Sequence, residues 1–239
     1  MDVTRRIGVI EDPRFQDHIE PTHHPEAAAR LVAVGKALEA WRQGRPGSLT
    51  ALTPSEASDD DILLIHTEDH LRTVKAAAAR GHGHLDADTF ISPASYDVAR
   101  LAAGSCVDLA MRIASGELDT GFAALRPPGH HAESGAAMGF CLFNSVAVAA
   151  RALQQHAGIE KILIFDWDVH HGNGSQHSFE SDPSILYMST HQFPFYPGTG
   201  AAGESGLGMG LGSTFNVPMP QGCGDFEYLG VMQHLIAPV

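Results

Sequence analysis

The chain has 239 residues, of which 44% are hydrophobic and 18% charged, enough length and apolar content for one α/β domain with a substantial core. Its formal net charge is −13, from 28 acidic and 15 basic residues, and this acidity argues against a nucleic-acid-binding surface. The three cysteines have no CxxC spacing, which argues against a disulfide framework and against a cysteine zinc site.

The first predicted elements alternate between strand and helix. IGVIED predicts a short strand, and an amphipathic helix follows from Pro25 to about Gln43. A second strand lies near residues 49–53. Two short helices come next, the second capped at Thr67 and ended at Gly81.

The middle of the chain continues this alternation. The turn residues of segment 81–95 predict a long surface loop. A helix from about Tyr96 to Ser115 leads to TGFAAL, which predicts a buried strand. Asn144 is a suitable cap for the next helix.

Two further strands, KILIFD and ILYMST, enclose a short helix, and the glycine-rich stretch 198–213 predicts a flexible loop. Strands that alternate with helices favour a parallel sheet covered by helices on both faces. No apolar run reaches the roughly 18 residues of a membrane span, and the chain opens without a signal-peptide pattern. We therefore expect a cytoplasmic protein without membrane or nucleic-acid partners.

Two polar clusters follow strands of the predicted sheet, at the edge where ligands gather in parallel sheets. DWDVHHGNG, residues 166–174, follows KILIF, and RPPGHH, residues 126–131, follows TGFAAL. Fifteen histidines are scattered along the chain, and several of them lie in these clusters.

The first cluster has the composition of a metal site. If the chain stays extended, Asp166, Asp168 and His170 point to one side, with neighbours roughly 6–7 Å apart. A carboxylate and an imidazole suit Zn²⁺ or Fe²⁺ better than Mg²⁺, and a catalytic site needs a third protein ligand. Solvated loop residues with a helix cap are the alternative interpretation.

The second cluster has the composition of a proton-transfer site. The Pro-Pro-Gly of residues 127–129 fixes the backbone, so that a turn can display His130 and His131 in one pocket. A histidine can take a proton from a metal-bound water when an acceptor holds its other nitrogen, and Asp166 and Asn173 are candidate holders. A surface histidine pair is the alternative.

Longer segments around both clusters resemble a known family. RPPGHHAESGAAMGFCLFNSVAVAA, ILIFDWDVHHGNGSQHSFESDPSILYMSTHQFPFYPGTG and the earlier HPEAAARL are similar to the zinc-dependent histone deacetylase and acetylpolyamine amidohydrolase superfamily, most of all to its class II branch. The resemblance implies a three-layer α/β/α fold with a mostly parallel sheet, of the arginase and deacetylase kind. It also implies hydrolysis of an N-acetyl amide on an amine side chain.

The resemblance also implies roles for individual residues. Asp168 and His170 would be zinc ligands, and His131 the general base toward the metal-bound water. His130 would be its electrostatic or acid partner, oriented by Asp166. Asn173 would lie against His131. The implied substrate contacts are Gly139, Phe140 and Tyr196. The implied ligands of a structural potassium ion are Asp166 and Ser189 with the carbonyls of Asp168, His170 and Thr190. Arg30 would line the channel below the zinc. A second monovalent site would use carbonyls near Phe179, Asp182 and Ile185.

The family's third zinc ligand and its oxyanion-stabilising tyrosine or histidine belong to later motifs that residues 1–239 do not contain. We therefore expect one catalytic domain over 1–239 that is C-terminally incomplete and inactive alone. If the chain ended here, an exposed sheet edge would favour association, for example as a homo-oligomer. His191 is then the first alternative for a third ligand.

Three functions stay open. The first is a deacetylase acting on acetyl-lysine or related acylated amines, the second an acetylpolyamine amidohydrolase, and the third a catalytically silent zinc-binding scaffold. A carboxylate at Asp86 or Asp88 could hold either a peptide N–H or a polyamine ammonium, and the acidic net charge leans slightly toward cationic substrates.

Overall fold

The computed structural model describes residues 5–238 and divides them into two compact units. The first comprises the described residues up to Ile162 together with Gly174–Ser178, and the second comprises Leu163–Asn173 and the described residues from Phe179 onward. Residues 1–4 and Val239, the ends of the predicted 1–239 domain, lie outside the described residues. The prediction of one incomplete catalytic domain stays a prediction.

Strands and helices alternate along both units. In chain order they are β1 (Ile7–Ile10), α1 (Ala29–Gly44), β2 (Leu49–Leu52), α2 (Asp59–Ile62), α3 (Glu68–Arg80), β3 (Gly83–His84), β4 (Phe90–Ile91), α4 (Ser95–Ala114), β5 (Thr120–Ala123), α5 (Ser145–Ala157), β6 (Ile162–Asp166), α6 (Asn173–Phe179), β7 (Ile185–Gln192), β8 (Thr214–Met219) and α7 (Asp225–Val231). Short 3-10 turns lie at Pro13–Gln16 and Gly208–Gly210, and a π-helical turn lies at Met232–Ile236.

A three-stranded parallel sheet in the order β2-β1-β5 organises the first unit, with Ile7 opposite both Leu49 and Thr120. The long helix α4 supplies residues to both hydrophobic clusters of this unit. The packing leaves no room for a side chain at Gly104 of α4, since a Cβ there would lie 2.2 Å from the backbone nitrogen of Ala57. The missing side chain therefore lets this helix pack directly on a neighbouring backbone segment.

The second unit contains a sheet in the order β6-β7-β8, in which β7 and β8 are parallel. Strand β7 is buried along most of its length, as expected for a strand covered on both faces. None of the described helices is both long and apolar enough to cross a membrane.

The prediction that α1 begins at Pro25 is wrong, since the helix begins at Ala29. Side chains hold the preceding backbone outside the helix: Glu26 N–H donates to Nδ1 of His24, at 3.1 Å, and Ala28 N–H donates to Oε1 of Glu20, at 3.1 Å.

The prediction of a long surface loop over residues 81–95 is also wrong, because β3 and β4 form an antiparallel hairpin there. Oδ1 of Asp86 accepts the N–H groups of Asp88 and Thr89, at 3.1 and 2.6 Å, which closes the hairpin tip. This turn is made by a side chain, so it leaves no trace in hydrophobic periodicity.

One other expectation needed correction. TGFAAL forms the predicted strand, but Phe122 is 47% exposed, so β5 is not fully buried. The region after residue 213 also contains β8 and α7.

Candidate active site

In the first unit, the paired histidines follow β5 in a tight turn, as predicted. The ring centroids of His130 and His131 lie 4.0 Å apart with a 43° tilt, and His131 is 3% exposed. The turn is closed by Ala132 N–H, which donates to the carbonyl of Gly129 at 3.0 Å, while Ser175 N–H donates to the carbonyl of His130 at 3.1 Å. Both imidazoles are therefore displayed together on a fixed backbone.

Glycines surround this turn because the backbone approaches it closely. A Cβ on Gly139 would lie 2.4 Å from Cδ2 of His131, and one on Gly174 would lie 2.2 Å from the carbonyl oxygen of Ala132. Gly139, predicted as a substrate contact, also has a φ of +55°, which favours glycine. In the described structure it packs against the ring of His131.

Phe140, predicted as a substrate wall, has an uncommon backbone conformation. Its φ is +70°, which is rare for an aromatic residue and is a form of strain that often accompanies functional sites. Its N–H donates to Oγ1 of Thr89 at 3.1 Å, and its ring meets the edge of the His24 ring with centroids 4.8 Å apart. Two neighbouring segments therefore support the wall.

A buried ion pair lies at the start of the histidine loop and was not predicted from the sequence. Arg126 is 2% exposed and donates through Nε and Nη2 to the carboxylate of Glu26, at 2.5 and 2.8 Å. Its Nη1 donates to the carbonyl of Phe15 at 3.2 Å. In the sequence, the only indication of this ion pair is that Arg126 and Glu26 both lie inside motifs that resemble those of the family. Arg30, the predicted channel residue, is exposed on α1.

In the second unit, the first predicted metal ligands lie on bends that follow β6. Asp168 N–H donates to Oδ1 of Asp166 at 3.1 Å, and His170 N–H donates to Oδ1 of Asp168 at 2.8 Å. The expectation of an extended chain with neighbours roughly 6–7 Å apart is therefore wrong, because each aspartate bends the backbone toward itself.

This bend brings together two atoms that could both bind a zinc ion. Nδ1 of His170 lies 3.2 Å from Oδ1 of Asp168. Two ligands at ordinary Zn–N and Zn–O distances in a tetrahedral shell are about 3.3 Å apart, so the pair fits two positions of a zinc shell. Within residues 5–238, no group of three His, Cys, Asp or Glu side chains is arranged to hold a metal ion.

Aromatic rings surround His170. Its ring stacks on Phe195, with centroids 5.2 Å apart and planes 11° apart, and meets Tyr196 nearly edge-on at 5.9 Å. Tyr196, predicted as a substrate wall, therefore lies beside a predicted zinc ligand.

The carboxylate of Asp166 is held by a buried tyrosine that the sequence analysis did not assign to the site. The hydroxyl of Tyr187 donates to Oδ2 of Asp166 at 3.2 Å and also interacts with Ser189. Burial raises the pKa of the Tyr187 phenol well above its ordinary value, and the charge of Asp166 raises it further. The phenol is therefore a donor at neutral pH.

His191 is engaged at both ring nitrogens. Nδ1 lies 2.8 Å from Oγ of Ser189, and Nε2 lies 2.8 Å from the carbonyl of Gly200. Burial lowers the pKa of His191, so its ring is neutral at neutral pH, with Nε2–H donating to the carbonyl. The alternative that His191 supplies a third zinc ligand is therefore wrong.

Most of the remaining predicted residues of the second unit are buried. Asn173 begins α6, and its N–H donates to the carbonyl of His171 at 3.0 Å. Ser189 and Thr190 are fully buried on β7, and Oγ1 of Thr190 has no hydrogen-bond partner among the described residues. Asp182 N–H donates to the carbonyl of Phe179, at 2.8 Å, in the segment predicted for a second monovalent ion.

Comparison with known proteins identifies the family. The model of the histone deacetylase domain matches residues 24–239. This chain belongs to the histone deacetylase family. Its fold is the arginase and deacetylase fold, as predicted: a crystal structure of the HDA15 HD domain superposes with a TM-score of 0.91 at 41% identity, covering 99% of this chain and 68% of that one. Members of the family are generally zinc-dependent and act on acetylated substrates.

Curated relatives agree with this assignment. Histone deacetylase 5 of Arabidopsis thaliana is 42% identical over 98% of this deacetylase-family chain and 38% of its own length. A probable deacetylase of Archaeoglobus fulgidus is 38% identical over 97% of this chain and 64% of its own length. The chain thus spans about two fifths of the length of the first curated relatives.

Proposed function

We propose that the protein containing this chain is a zinc-dependent hydrolase that removes acetyl or related acyl groups from amine side chains such as acetyl-lysine. The observation that carries the proposal is the 3.2 Å separation of Asp168 Oδ1 and His170 Nδ1, in a chain whose family is generally zinc-dependent. We assign these two atoms to the zinc, which when bound would polarise the amide carbonyl and lower the pKa of a water molecule toward about 7.

The histidine pair supplies proton transfer in this proposal. His131 would take a proton from the attacking water, and His130 would provide electrostatic or acid assistance to the departing amine. The ring of His131 is buried and backed by Gly139, so its orientation is fixed before substrate binds. A positioned base of this kind typically contributes about 10²–10⁴ to the rate.

The other assigned residues would enclose the acyl chain of the substrate and hold the catalytic histidines in place. Gly139, Phe140 and Tyr196 would contact the acyl chain. Asp166 would orient a catalytic histidine, and Asn173 would be placed against His131.

A structural potassium ion would use Asp166, Ser189 and the carbonyl of Thr190. In support of this ion, the side chains of Asp166 and Ser189 both interact with the hydroxyl of Tyr187, so their oxygens lie near a common point. Oxygen ligands suit a hard cation. The cytoplasmic location and the homo-oligomer stay predictions.

The carboxylates of Asp86 and Asp88 do not distinguish acetyl-lysine from an acetylated polyamine, since a carboxylate there could hold either substrate. Oδ1 of Asp86 closes the β3–β4 hairpin, so it is less available to a peptide N–H and to an ammonium alike. Burial and the nearby Asp86 raise the pKa of Asp88. We favour acylated lysine over acetylated polyamine because the family model and the curated relatives that match this chain are those of histone deacetylases.

The test is acetate release by the zinc-loaded, full-length protein from an acetyl-lysine peptide and from an N-acetylated polyamine. We expect faster release from the peptide, and a loss of about 10²–10⁴ in turnover in His131→Ala at unchanged zinc content. His82→Ala, at an exposed turn position, is the control and should retain turnover. Absence of acetate release from both substrates would support the silent scaffold instead.

A further inference from the structure

The loop between β5 and α5 is fastened by the junction of α2 and α3. Nδ1 of His66 lies 2.9 Å from the carbonyl of Glu133, and Nε2 of His66 lies 2.9 Å from the backbone nitrogen of Asn144. The next residue, Thr67, donates its N–H to the carbonyl of Ser134 at 2.8 Å. One short segment therefore bonds to the middle of the loop and to its C-terminal end.

These bonds specify the protonation state of His66. A backbone N–H can only donate, so Nε2 accepts from Asn144 and Nδ1 carries the hydrogen that it donates to Glu133. His66 is 3% exposed, and burial, with a contribution from the neighbouring His70, lowers its pKa to about 4. The imidazole is therefore neutral at neutral pH, in one tautomer.

His70 adds a third attachment. Its Nε2 lies 2.8 Å from the carbonyl of Leu142, and its ring lies 5.0 Å from the ring of His66. The ring of Phe143 contacts both imidazoles, with centroid distances of 5.4 and 5.6 Å. The two histidines and Phe143 thus form a packed support under the end of the loop.

The supported loop reaches the proposed general base. Between the two attachment points of His66 lies Gly139, which packs directly against the ring of His131. The loop contains no helix and only one isolated bridge, between Met138 and Cys141, so its shape depends on its attachments. A displacement of the loop would therefore release the ring of His131.

We propose that His66 is a positioning residue for His131: its neutral imidazole bridges Glu133 and Asn144 and thereby fixes the loop that holds the catalytic ring. The proposal rests on the proposed function, because it assigns His131 to the reaction. A misplacement of a reacting group by about 1 Å can reduce a rate about 100-fold, so a support without substrate contact can control turnover.

The first test compares three variants of the full-length protein at matched zinc content and at a temperature where all are folded. His66→Ala removes both bonds, whereas His66→Gln keeps a donor and an acceptor at nearly the same separation. Val74→Ala is the control. Val74 is fully buried in the hydrophobic cluster that contains Phe143, but its side chain has no polar group to bond to the loop.

We expect His66→Ala to reduce kcat about 10- to 100-fold with a much smaller change in KM, and His66→Gln to recover most of the loss. Val74→Ala should keep kcat within about twofold of the wild type although it destabilises the fold. Equal kcat values in His66→Ala and Val74→Ala would overturn the proposal, because loss of core packing alone would then explain both.

The second test needs no turnover, so it separates this proposal from the proposed function. Nitrogen-15 spectra should show His66 protonated at Nδ1 only. The ring resonances of His131 should move in His66→Ala but not in Val74→Ala, and amide exchange at Asn144 should accelerate only in His66→Ala. Unchanged His131 resonances in His66→Ala would overturn the positioning role, whether or not the wild type is a deacetylase.

Discussion

At Gly139 the absence of a methyl group determines how closely a loop can approach a buried imidazole. A Cβ would lie 2.4 Å from the ring of His131, closer than real Cβ contacts occur, and the φ of +55° adds strain for any other residue. His131 has little space in which to move away, since it is 3% exposed. The identity of residue 139 is therefore coupled to the orientation of the proposed base.

Gly139→Ala should reduce turnover at least tenfold while the protein keeps its zinc, because the new methyl group displaces the ring of His131. The matched control is Gly158→Ala, at the end of α5. Gly158 has a similar φ of +66°, but a Cβ there meets nothing within 4 Å.

Urea unfolding should show a loss of roughly 1 kcal/mol from backbone strain in Gly158→Ala and a larger loss in Gly139→Ala, where the clash with the buried ring of His131 adds to the strain. Only Gly139→Ala should lose turnover. Equal turnover in the two variants would show that the contact with His131 has no catalytic consequence.

At the scale of elements, the sequence predicts those whose boundaries are set by local chemistry. Thr67 accepts the N–H of His70 and Asn144 accepts the N–H of Ala147, so both predicted caps are present. The bends at Asp86 and Asp168 were missed, because aspartate side chains replace backbone partners there and hydrophobic periodicity carries no record of it.

The same limit applies to the site. The residue types and their order predicted the histidine pair and the Asp168–His170 pair, and the structure shows each pair in contact within its own unit. Of the supports behind them, His66 lies outside the site motifs, whereas Tyr187 lies inside one of them but its bond to Asp166 cannot be read from the sequence. Only tertiary structure brings such supports to the residues that they hold.

Helix α4 offers a stability test of element packing. Gly104→Ala should destabilise the protein by about 1–3 kcal/mol, because its Cβ would meet the backbone of the segment around Ala57 at 2.2 Å. Gly35→Ala in α1 has space, with its nearest contact at 4.0 Å, and should stabilise by about 0.5–1 kcal/mol. Urea unfolding of both variants measures the difference, and a destabilising effect of the same size at both positions would contradict the packing account.

At the scale of the whole molecule, buried neutral histidines make stability depend on pH. Burial lowers the pKa of His66 to about 4 and that of His18 to about 3, whereas both have a pKa of about 6.5 when unfolded. Below about pH 6.5 the unfolded chain therefore binds protons that the folded protein excludes. The stabilisation is complete above about pH 6.5 and is lost as pH falls toward 4 and then 3.

For His66 this difference corresponds to about 3 kcal/mol across the window. The free energy of unfolding should therefore fall between about pH 6.5 and pH 4, and fall less steeply in His66→Gln. Urea unfolding at a series of pH values measures both slopes. A wild-type free energy that stays constant through this window would contradict the burial of neutral histidines.

Zinc content tests most directly whether Asp168 and His170 hold a catalytic zinc ion. Metal analysis of the full-length protein should find about one zinc per chain in the wild type and in the control Asp97→Ala, at an exposed position of α4. Asp168→Ala should lose zinc and acetyl-lysine hydrolysis together. Full zinc occupancy in Asp168→Ala would contradict the account.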